Sequence, residues 1–200
     1  GKPVLACSLE DSSSMLISRQ VAAIGRVPLE HVRVPQRAPD TLWEAVASAT
    51  QELAGLPLWV DDSAGLSLQQ VVQKATYVKR KAGGLGLVVV DYLQLMEDEG
   101  ETRGLKNLAK RLGCPVILLS QLSREADKTN SPPRLDHLAE SGAIEQAADI
   151  IGLLWREHRR TPKPDNKHTA QIEFAKNKNG ACDTVRLWFD GATQRFEDEG

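Results

Sequence analysis

A buried-strand pattern that ends in a carboxylate is the feature of this sequence with the clearest chemical use. Residues 86–96 read Gly-Leu-Val-Val-Val-Asp-Tyr-Leu-Gln-Leu-Met, so an apolar run stops abruptly at Asp91. In an open α/β sheet, ligands bind just outside the carboxyl ends of the strands. A carboxylate at that position suits a Mg²⁺ ion held beside nucleotide phosphates. The alternative is an aspartate that caps the next helix. The segment favours the metal role.

Two more polar residues follow apolar runs that are typical of strands. Glu10 comes after Ala-Cys-Ser-Leu at 6–9, and Gln121 comes after Ile-Leu-Leu-Ser at 117–120. Parallel strands end at one edge of their sheet, so a base, a metal-binding acid and an amide could converge there. A carboxylate near a terminal phosphate can orient and deprotonate the attacking water, and an amide can sense the phosphate. Each residue alone could equally be a cap or loop residue, but together they favour a functional site.

Composition bounds the class of protein. The chain has 200 residues, which is within the usual size of one domain. Its net charge of −2 argues against a strongly basic nucleic-acid coat, although a local basic face or an assembled basic channel stays open. The three cysteines lack metal-ligand spacing, and we predict that Cys7 and Cys114 are reduced core residues. No segment resembles a signal peptide or a membrane span, so we predict a cytoplasmic protein.

Apolar runs and turn signals predict alternating strands and helices. Two capping boxes, Thr41-x-x-Glu44 and Ser67-x-x-Gln70, each predict the start of a helix. The run at 115–119 is continuous and suits a strand buried on both faces. We predict strands at 4–8, 56–60, 87–90, 115–119, 150–154, 170–175 and 185–189, and helices at about 12–25, from 41, from 67 and at about 101–112.

The second half of the chain has a different texture. Residues 123–142 are polar and contain two prolines, which predicts a long functional loop. The basic cluster within 156–168 is interpreted most simply as a solvated loop, and the Asn-Gly at 179–180 favours a hairpin. We therefore predict one α/β domain over residues 1–200, with a sheet that is parallel first and antiparallel at its end.

Eight ordered sequence blocks resemble the C-terminal ATPase domain of DnaB-type hexameric replicative helicases, which has a RecA-like fold. Their order and approximate spacing hold across nearly the whole chain. The blocks are Lys-Pro-Val-Leu and Ser-Leu-Glu within 2–10, Gly-Arg-Val at 25–27, Asp-Asp-Ser-Ala-Gly-Leu at 61–66, Val-Asp-Tyr-Leu-Gln-Leu-Met at 90–96, Leu-Lys-Asn-Leu-Ala-Lys at 105–110, Leu-Ser-Gln-Leu-Ser-Arg at 119–124, Glu-Ser-Gly-Ala-Ile-Glu-Gln at 140–146 and Lys-Asn-Lys-Asn-Gly at 176–180.

The resemblance implies a role for each candidate residue. Glu10 would be the catalytic base, Asp91 the Walker B acid that binds Mg²⁺, and Gln121 the link between the γ-phosphate of ATP and the DNA-binding loops. Lys176 and Lys178 would reach the nucleotide of the neighbouring subunit, where the alternative is a solvated hairpin tip. Four residues would contact single-stranded DNA: Glu140, Ser141, Gly142 and Arg124. For Ser141 and Gly142 the alternative is a plain loop before a short helix.

The chain departs from the family pattern in four places. No G-x-x-x-x-G-K-[ST] phosphate-binding loop occurs in the 200 residues, and Gly1-Lys2 is no remnant because Pro3 follows. Since the downstream residues are intact, we expect that this loop and its strand precede the sequence rather than that evolution removed them. The segment between Met96 and Leu105 is shorter than in the family. Lys178 stands where an arginine finger is common, and Ala139 replaces an arginine.

The resemblance implies the motor domain of a replicative helicase. Six copies would ring one strand of DNA, with ATP and Mg²⁺ bound between neighbouring copies, and a primase and a helicase loader would be partners. One alternative is a RecA-like recombination or repair ATPase, which predicts filaments and strand pairing. The other is a non-catalytic DNA-binding or ring-assembly module that has lost its phosphate-binding loop. The intact Glu10, Asp91 and Gln121 favour the catalytic interpretation over this last one.

Overall fold

The first part of the chain contains the strands and helices in the order that the sequence predicts, with one short additional helix. The computed structural model describes residues 1–97, 102–138 and 141–199. The strands are β1 (Val4–Ser8), β2 (Leu58–Asp61), β3 (Leu87–Asp91), β4 (Val116–Leu118), β5 (Ile150–Trp155), β6 (Thr169–Asn177), β7 (Thr184–Asp190) and β8 (Arg195–Asp198). The helices are α1 (Ser13–Gly25), α2 (Leu29–Arg33), α3 (Trp43–Ala54), α4 (Leu68–Lys81), α5 (Thr102–Leu112) and α6 (Ser141–Ala147).

The first four strands form a parallel sheet in the order β2-β1-β3-β4. Val88 and Val90 of the inner strand β3 are fully buried, as the apolar run predicts. The prediction that β4 is buried on both faces is wrong, because Ile117 is 47% exposed. The reason is its place in the sheet. In the described part of the chain β4 is an edge strand, so it has a strand neighbour on one side only.

Local sequence sets where the helices begin. The hydroxyl of Ser12 accepts a hydrogen bond from the backbone N–H of Met15 and caps α1. The capping box of Ser67 and Gln70 is present at the start of α4. The box predicted at Thr41 is wrong. Asp40–Leu42 forms a 3-10 turn that continues directly into α3, so Leu42 takes the cap position without a side-chain hydrogen bond.

The last four strands form an antiparallel sheet in the order β5-β6-β7-β8. The predicted hairpin between β6 and β7 is confirmed, with residues 178–183 as its loop. A Cβ at Gly180 would lie 2.7 Å from the Asn177 side-chain nitrogen, so a larger residue there would displace the Asn177 side chain. The strand β8 and the helix α2 were not predicted, since both are short and carry little apolar periodicity.

The chain divides into two compact units, Gly1–Gln121 and Leu122–Gly200. Each unit contains one of the two sheets, whereas the sequence predicted a single sheet. The assignment of residues 1–200 to one domain stays a prediction. The predicted loop over 123–142 contains two 3-10 turns, Ala126–Lys128 and Leu135–His137, and runs into α6.

The basic cluster is more ordered than a solvated loop. The Arg156 guanidinium lies 3.7 Å from the centre of the Phe189 ring, and Arg160 pairs with Asp127. Both arginines are half-buried in the second unit. The sequence missed this because the stacking partners lie far away along the chain.

Candidate functional site

Two of the predicted catalytic residues lie at or just beyond the ends of neighbouring strands, at the carboxyl edge of the parallel sheet. Ser8 at the end of β1 is in register with Asp91 at the end of β3. The backbone N–H of Leu9 donates a hydrogen bond of 2.7 Å to the Asp91 carbonyl oxygen, which carries the pairing one residue beyond the strand. Glu10 follows at once and is exposed. The prediction that strand ends bring these two acids together is consistent with this geometry.

The electrostatics of Asp91 reflect a crowded negative site. Burial raises the pKa of the Asp91 carboxyl above its usual value, and the negative charges of Glu10 and Asp11 raise it further, while Arg19 lowers it. A nearby cation stabilises the ionised form of a carboxyl group whose pKa is raised in this way. A divalent cation at this site would offset the repulsion among the neighbouring carboxylates.

Asp91 is not a helix cap. The next element is the 3-10 turn Leu93–Leu95, whose cap position is occupied by Tyr92 without a side-chain hydrogen bond. The capping alternative for Asp91 is thus wrong, which leaves its carboxylate available at the sheet edge. The peptide bond between Asp91 and Tyr92 is cis.

A small network that the sequence did not predict supports the turn that carries Glu10. The hydroxyl of the buried Ser8 donates to the backbone carbonyl of Asp11 at 2.7 Å. The carboxylate of Asp11 accepts a hydrogen bond of 2.6 Å from Arg19 on α1. Glu10 lies between the two tethered residues, so the network limits the positions that its backbone can take. The one sequence signal for this network is the pair of opposite charges eight residues apart, Asp11 and Arg19.

Gln121 follows β4, the strand beside β3, and its side chain is exposed. Its backbone N–H donates a hydrogen bond of 3.1 Å to the Gln94 side chain. Gln94 stands three residues after Asp91, in the same sequence block, and sequence reasoning passed over it. The structure therefore ties the predicted phosphate sensor to the segment that follows the predicted Mg²⁺ ligand.

The residues present suit a cation that arrives with a nucleotide. Within the described ranges, no group of three or more His, Cys, Asp and Glu side chains is placed to hold a metal ion. Mg²⁺ is usually bound by one or two carboxylates together with waters and substrate phosphates. Asp91 can serve as such a carboxylate. The cradle for the phosphates is not among these 200 residues, because they contain no phosphate-binding loop.

The two predicted trans-acting lysines contact the carboxyl end of α6 and the residues after it. The Lys176 ammonium donates to the backbone carbonyl of Glu145, and the Lys178 ammonium lies 3.3 Å from the Asp149 carboxylate. The backbone N–H of Lys178 also donates to the Asp149 carbonyl oxygen at 2.9 Å. The base of the hairpin is therefore held by contacts within the second unit. The alternative of a solvated hairpin tip fits the exposed Lys178 better than it fits Lys176, which is half-buried.

The predicted DNA-contacting residues are only partly described. Gly142 lies in the first turn of α6 and is exposed, and α6 begins at Ser141, where a loop was predicted. Arg124 is exposed and precedes the turn Ala126–Lys128. Glu140 lies outside the described residues, as do Ala139 and part of the shortened segment after Met96. Their DNA contacts stay predictions.

Comparison with known families agrees with this geometry. A model described as the DnaB-like helicase C terminal domain matches residues 1–198. The chain belongs to the DnaB-like helicase C-terminal domain family. It is 37% identical over 209 residues to the replicative DNA helicase DnaB of Pasteurella multocida (strain Pm70), with 98% of the chain and 45% of that protein covered. It is 33% identical to the DnaB of Geobacillus stearothermophilus, with 94% and 44% covered.

Solved structures confirm the RecA-like α/β fold of this DnaB-like domain. One solved ATPase domain matches with a TM-score of 0.93 at 30% identity, covering 100% of this chain and 75% of the solved one. A DnaB-like replicative helicase, described with its interactions with primase, matches with a TM-score of 0.91 at 30% identity, covering 98% and 50%. The chain spans less than half the length of the curated relatives described above.

The comparisons bear on the alternatives left open by the sequence. The family and the relatives are helicases, which favours the helicase interpretation over a recombination ATPase.

Within the described residues, no helix combines the length and the apolar character that a membrane span requires.

Proposed function

We propose that this domain is the ATP-hydrolysing motor of a replicative DNA helicase. In this proposal six copies form a ring around single-stranded DNA, and ATP binds with Mg²⁺ between neighbouring copies. Hydrolysis drives translocation along the strand and separation of the duplex. A primase and a helicase loader are the proposed partners.

The observation that carries the proposal is the placement of Glu10 two residues beyond the strand partner of Asp91, at the carboxyl edge of the sheet, within a chain of the DnaB-like family. Glu10 is exposed and Asp91 is half-buried, so the two carboxylates suit two different tasks. The half-buried acid suits a metal ion, and the exposed one suits a water molecule. A non-catalytic module has no use for this pair.

Each residue has a proposed task in hydrolysis. Asp91 would hold the Mg²⁺ ion, which neutralises charge on the phosphates when it is bound. Glu10 orients the attacking water and accepts its proton. Gln121 responds to the γ-phosphate through its exposed side-chain amide. The phosphate-binding loop would come from residues outside these 200.

The proposed trans contacts and DNA contacts require the second unit. Lys178 would place its ammonium on the neighbouring copy's nucleotide, and the exposed pair that it forms with Asp149 is weak enough to exchange partners. Lys176 would do the same with its ammonium. Single-stranded DNA would be tracked through backbone contacts at Glu140, Ser141 and Gly142 and through the charge of Arg124, without reading of base sequence.

The test is Glu10→Gln in the full-length protein, with Glu52→Gln on the exposed face of α3 as the matched control. The amide keeps the shape of Glu10 but cannot accept a proton, so the ATP turnover number should fall by roughly 10²–10⁴-fold. Calorimetry should show that ATP still binds, and the control should hydrolyse ATP like the wild type.

Three results would contradict the proposal. Equal hydrolysis by Glu10→Gln and the wild type would remove Glu10 from its role. A wild-type protein that binds no ATP would support the non-catalytic module. Filaments on DNA in electron micrographs, with no rings, would support the recombination ATPase.

A further inference from the structure

The backbone pairing of β3 with β4 continues beyond both strands. The Leu119 N–H donates to the Val90 carbonyl oxygen, and the Leu93 N–H donates to the Leu119 carbonyl oxygen, both at 2.9 Å. After Leu93 the chain enters the 3-10 turn Leu93–Leu95 and turns away from the direction of the sheet. Residues 120 and 121 therefore need other partners if they are to keep a fixed position.

The Gln94 side chain supplies these partners. Its carbonyl oxygen accepts a hydrogen bond of 3.1 Å from the Gln121 backbone N–H, and its amide nitrogen donates one of 3.0 Å to the Ser120 hydroxyl. The Ser120 hydroxyl lies 3.4 Å from the Gln121 carbonyl oxygen, to which it donates. The carboxamide thus substitutes for the peptide group that a longer strand would offer, and it is half-buried.

These contacts leave the Gln121 side chain free of the tether. Gln94 and Ser120 hold only the backbone groups of Gln121, while its side chain points to no partner among them and is exposed. A residue that reports on a phosphate must have a fixed backbone and a side chain that can reach the phosphate. The hydrogen bonds meet the first requirement, and the exposure of the Gln121 side chain is compatible with the second.

We propose that Gln94 is a positioning residue for Gln121, and that it links the segment after Asp91 to the response of Gln121 to bound nucleotide. The inference rests on the proposed function, because it assigns Gln94 to the same ATPase cycle. Gln94 touches neither the phosphates nor the water in this scheme. It acts by keeping Gln121 at a constant place relative to the end of β3.

The experiment measures ATP hydrolysis by the full-length protein with and without single-stranded DNA. The variants are Gln94→Ala, Gln121→Ala and the double variant, with Gln51→Ala on the exposed face of α3 as the control. Loss of two side-chain hydrogen bonds should reduce the DNA-stimulated turnover number of Gln94→Ala by about tenfold. The KM for ATP should stay within about twofold of the wild type, because no contact to ATP is removed.

The double variant distinguishes positioning from a separate role. If Gln94 acts through Gln121, the double variant should be no slower than Gln121→Ala alone, since residues that act as a unit are not additive. Gln94→Glu keeps the oxygen that accepts from Gln121 and should stay within about threefold of the wild type. A purely structural role would lower the melting temperature in all Gln94 variants and leave the DNA stimulation of the folded fraction unchanged.

The outcomes separate the inference from the function on which it rests. A wild-type protein whose hydrolysis is not stimulated by DNA overturns the proposed function, and the role of Gln94 with it. A stimulated wild type with an unchanged Gln94→Ala, or with losses that multiply in the double variant, overturns the role of Gln94 alone. If Gln94→Ala does not fold, Ser120→Ala replaces it. That variant should lose about threefold in stimulation, and no loss would overturn the inference.

Discussion

Charge at the level of single residues explains why the edge of the parallel sheet suits a cation. Asp91 is affected by the like charges of Glu10 and Asp11, with Arg19 as the opposing charge. Arg19 already donates to Asp11 at 2.6 Å, so its charge is shared. A Mg²⁺ ion brought by a nucleotide would add positive charge at the place where carboxylates are in excess. The same ion would favour the ionised form of Asp91.

Lys178 carries a prediction about the chemistry of a single cation. A lysine keeps the charge of an arginine finger but lacks its planar, two-pronged donor group. Arginine fingers contribute roughly 10³–10⁵ in rate in other NTPases. We expect Lys178→Ala in the full-length protein to lower the ATP turnover number by about 10²-fold or more, and Lys178→Arg to equal or exceed the wild type.

A matched lysine serves as the control for Lys178. Lys163 also forms an exposed ion pair, with Glu157 at 3.5 Å, and belongs to a loop without a proposed role in catalysis. Lys163→Ala should hydrolyse ATP at the wild-type rate in a steady-state assay. Similar rates for Lys178→Ala and Lys163→Ala would place Lys178 among ordinary surface lysines.

At the scale of elements, the sequence predicted where a strand ends better than it predicted how deeply a strand is buried. The end of β3 at Asp91 follows from an apolar run that a carboxylate interrupts. The exposure of Ile117 does not follow from sequence, because an apolar run looks the same in an inner strand and in an edge strand. The position of β4 in the sheet is decided by pairing between segments that are distant along the chain.

The candidate site shows the same division. The positions of Glu10, Asp91 and Gln121 at or just beyond strand ends were predictable because each follows a strand pattern, and parallel strands end at one edge; their roles stay predictions. Gln94 and Ser8 form side-chain hydrogen bonds to backbone groups, Gln94 to the distant Gln121 and Ser8 to Asp11 in the turn after its strand. Such contacts depend on three-dimensional placement and leave no periodic signal in the sequence.

The capping box at Ser67, and the sequence pattern at Thr41 that forms no box, give a prediction at the scale of one helix. Ser67 caps α4 through a hydrogen bond from the Gln70 backbone N–H, whereas Thr41 lies in a turn and caps nothing at the start of α3. Ser67→Ala should lower the free energy of unfolding by about 1 kcal/mol. Thr41→Ala should change it by less than about 0.5 kcal/mol.

Urea unfolding followed by circular dichroism, together with hydrogen exchange of the first amides of α4, measures this difference. Exchange should speed up in Ser67→Ala at the start of α4 and stay unchanged in Thr41→Ala. An equal loss of stability in both variants would mean that the Thr41 pattern caps α3 after all.

At the scale of the whole molecule, the net charge of −2 means that overall charge does not attract DNA to this chain. The proposed binding to single-stranded DNA would then come from a few local contacts, repeated in each copy of the proposed ring. Arg124 is an exposed cation on the segment that leads towards α6. Arg134 lies on the same segment, but its guanidinium donates two hydrogen bonds to Asp136, at 3.3 and 3.2 Å.

This difference predicts how salt affects DNA binding by the full-length protein. Each phosphate contact on a single strand contributes about 0.7 to the slope of log K against log salt concentration. Arg124→Ala should therefore flatten the slope by about 0.7 for each subunit that engages DNA, while Arg134→Ala should leave it nearly unchanged because Asp136 already offsets its charge. Fluorescence anisotropy over a series of salt concentrations measures both slopes. If the two variants flatten the slope equally, general charge on this segment attracts the DNA, and the specific contact assigned to Arg124 is wrong.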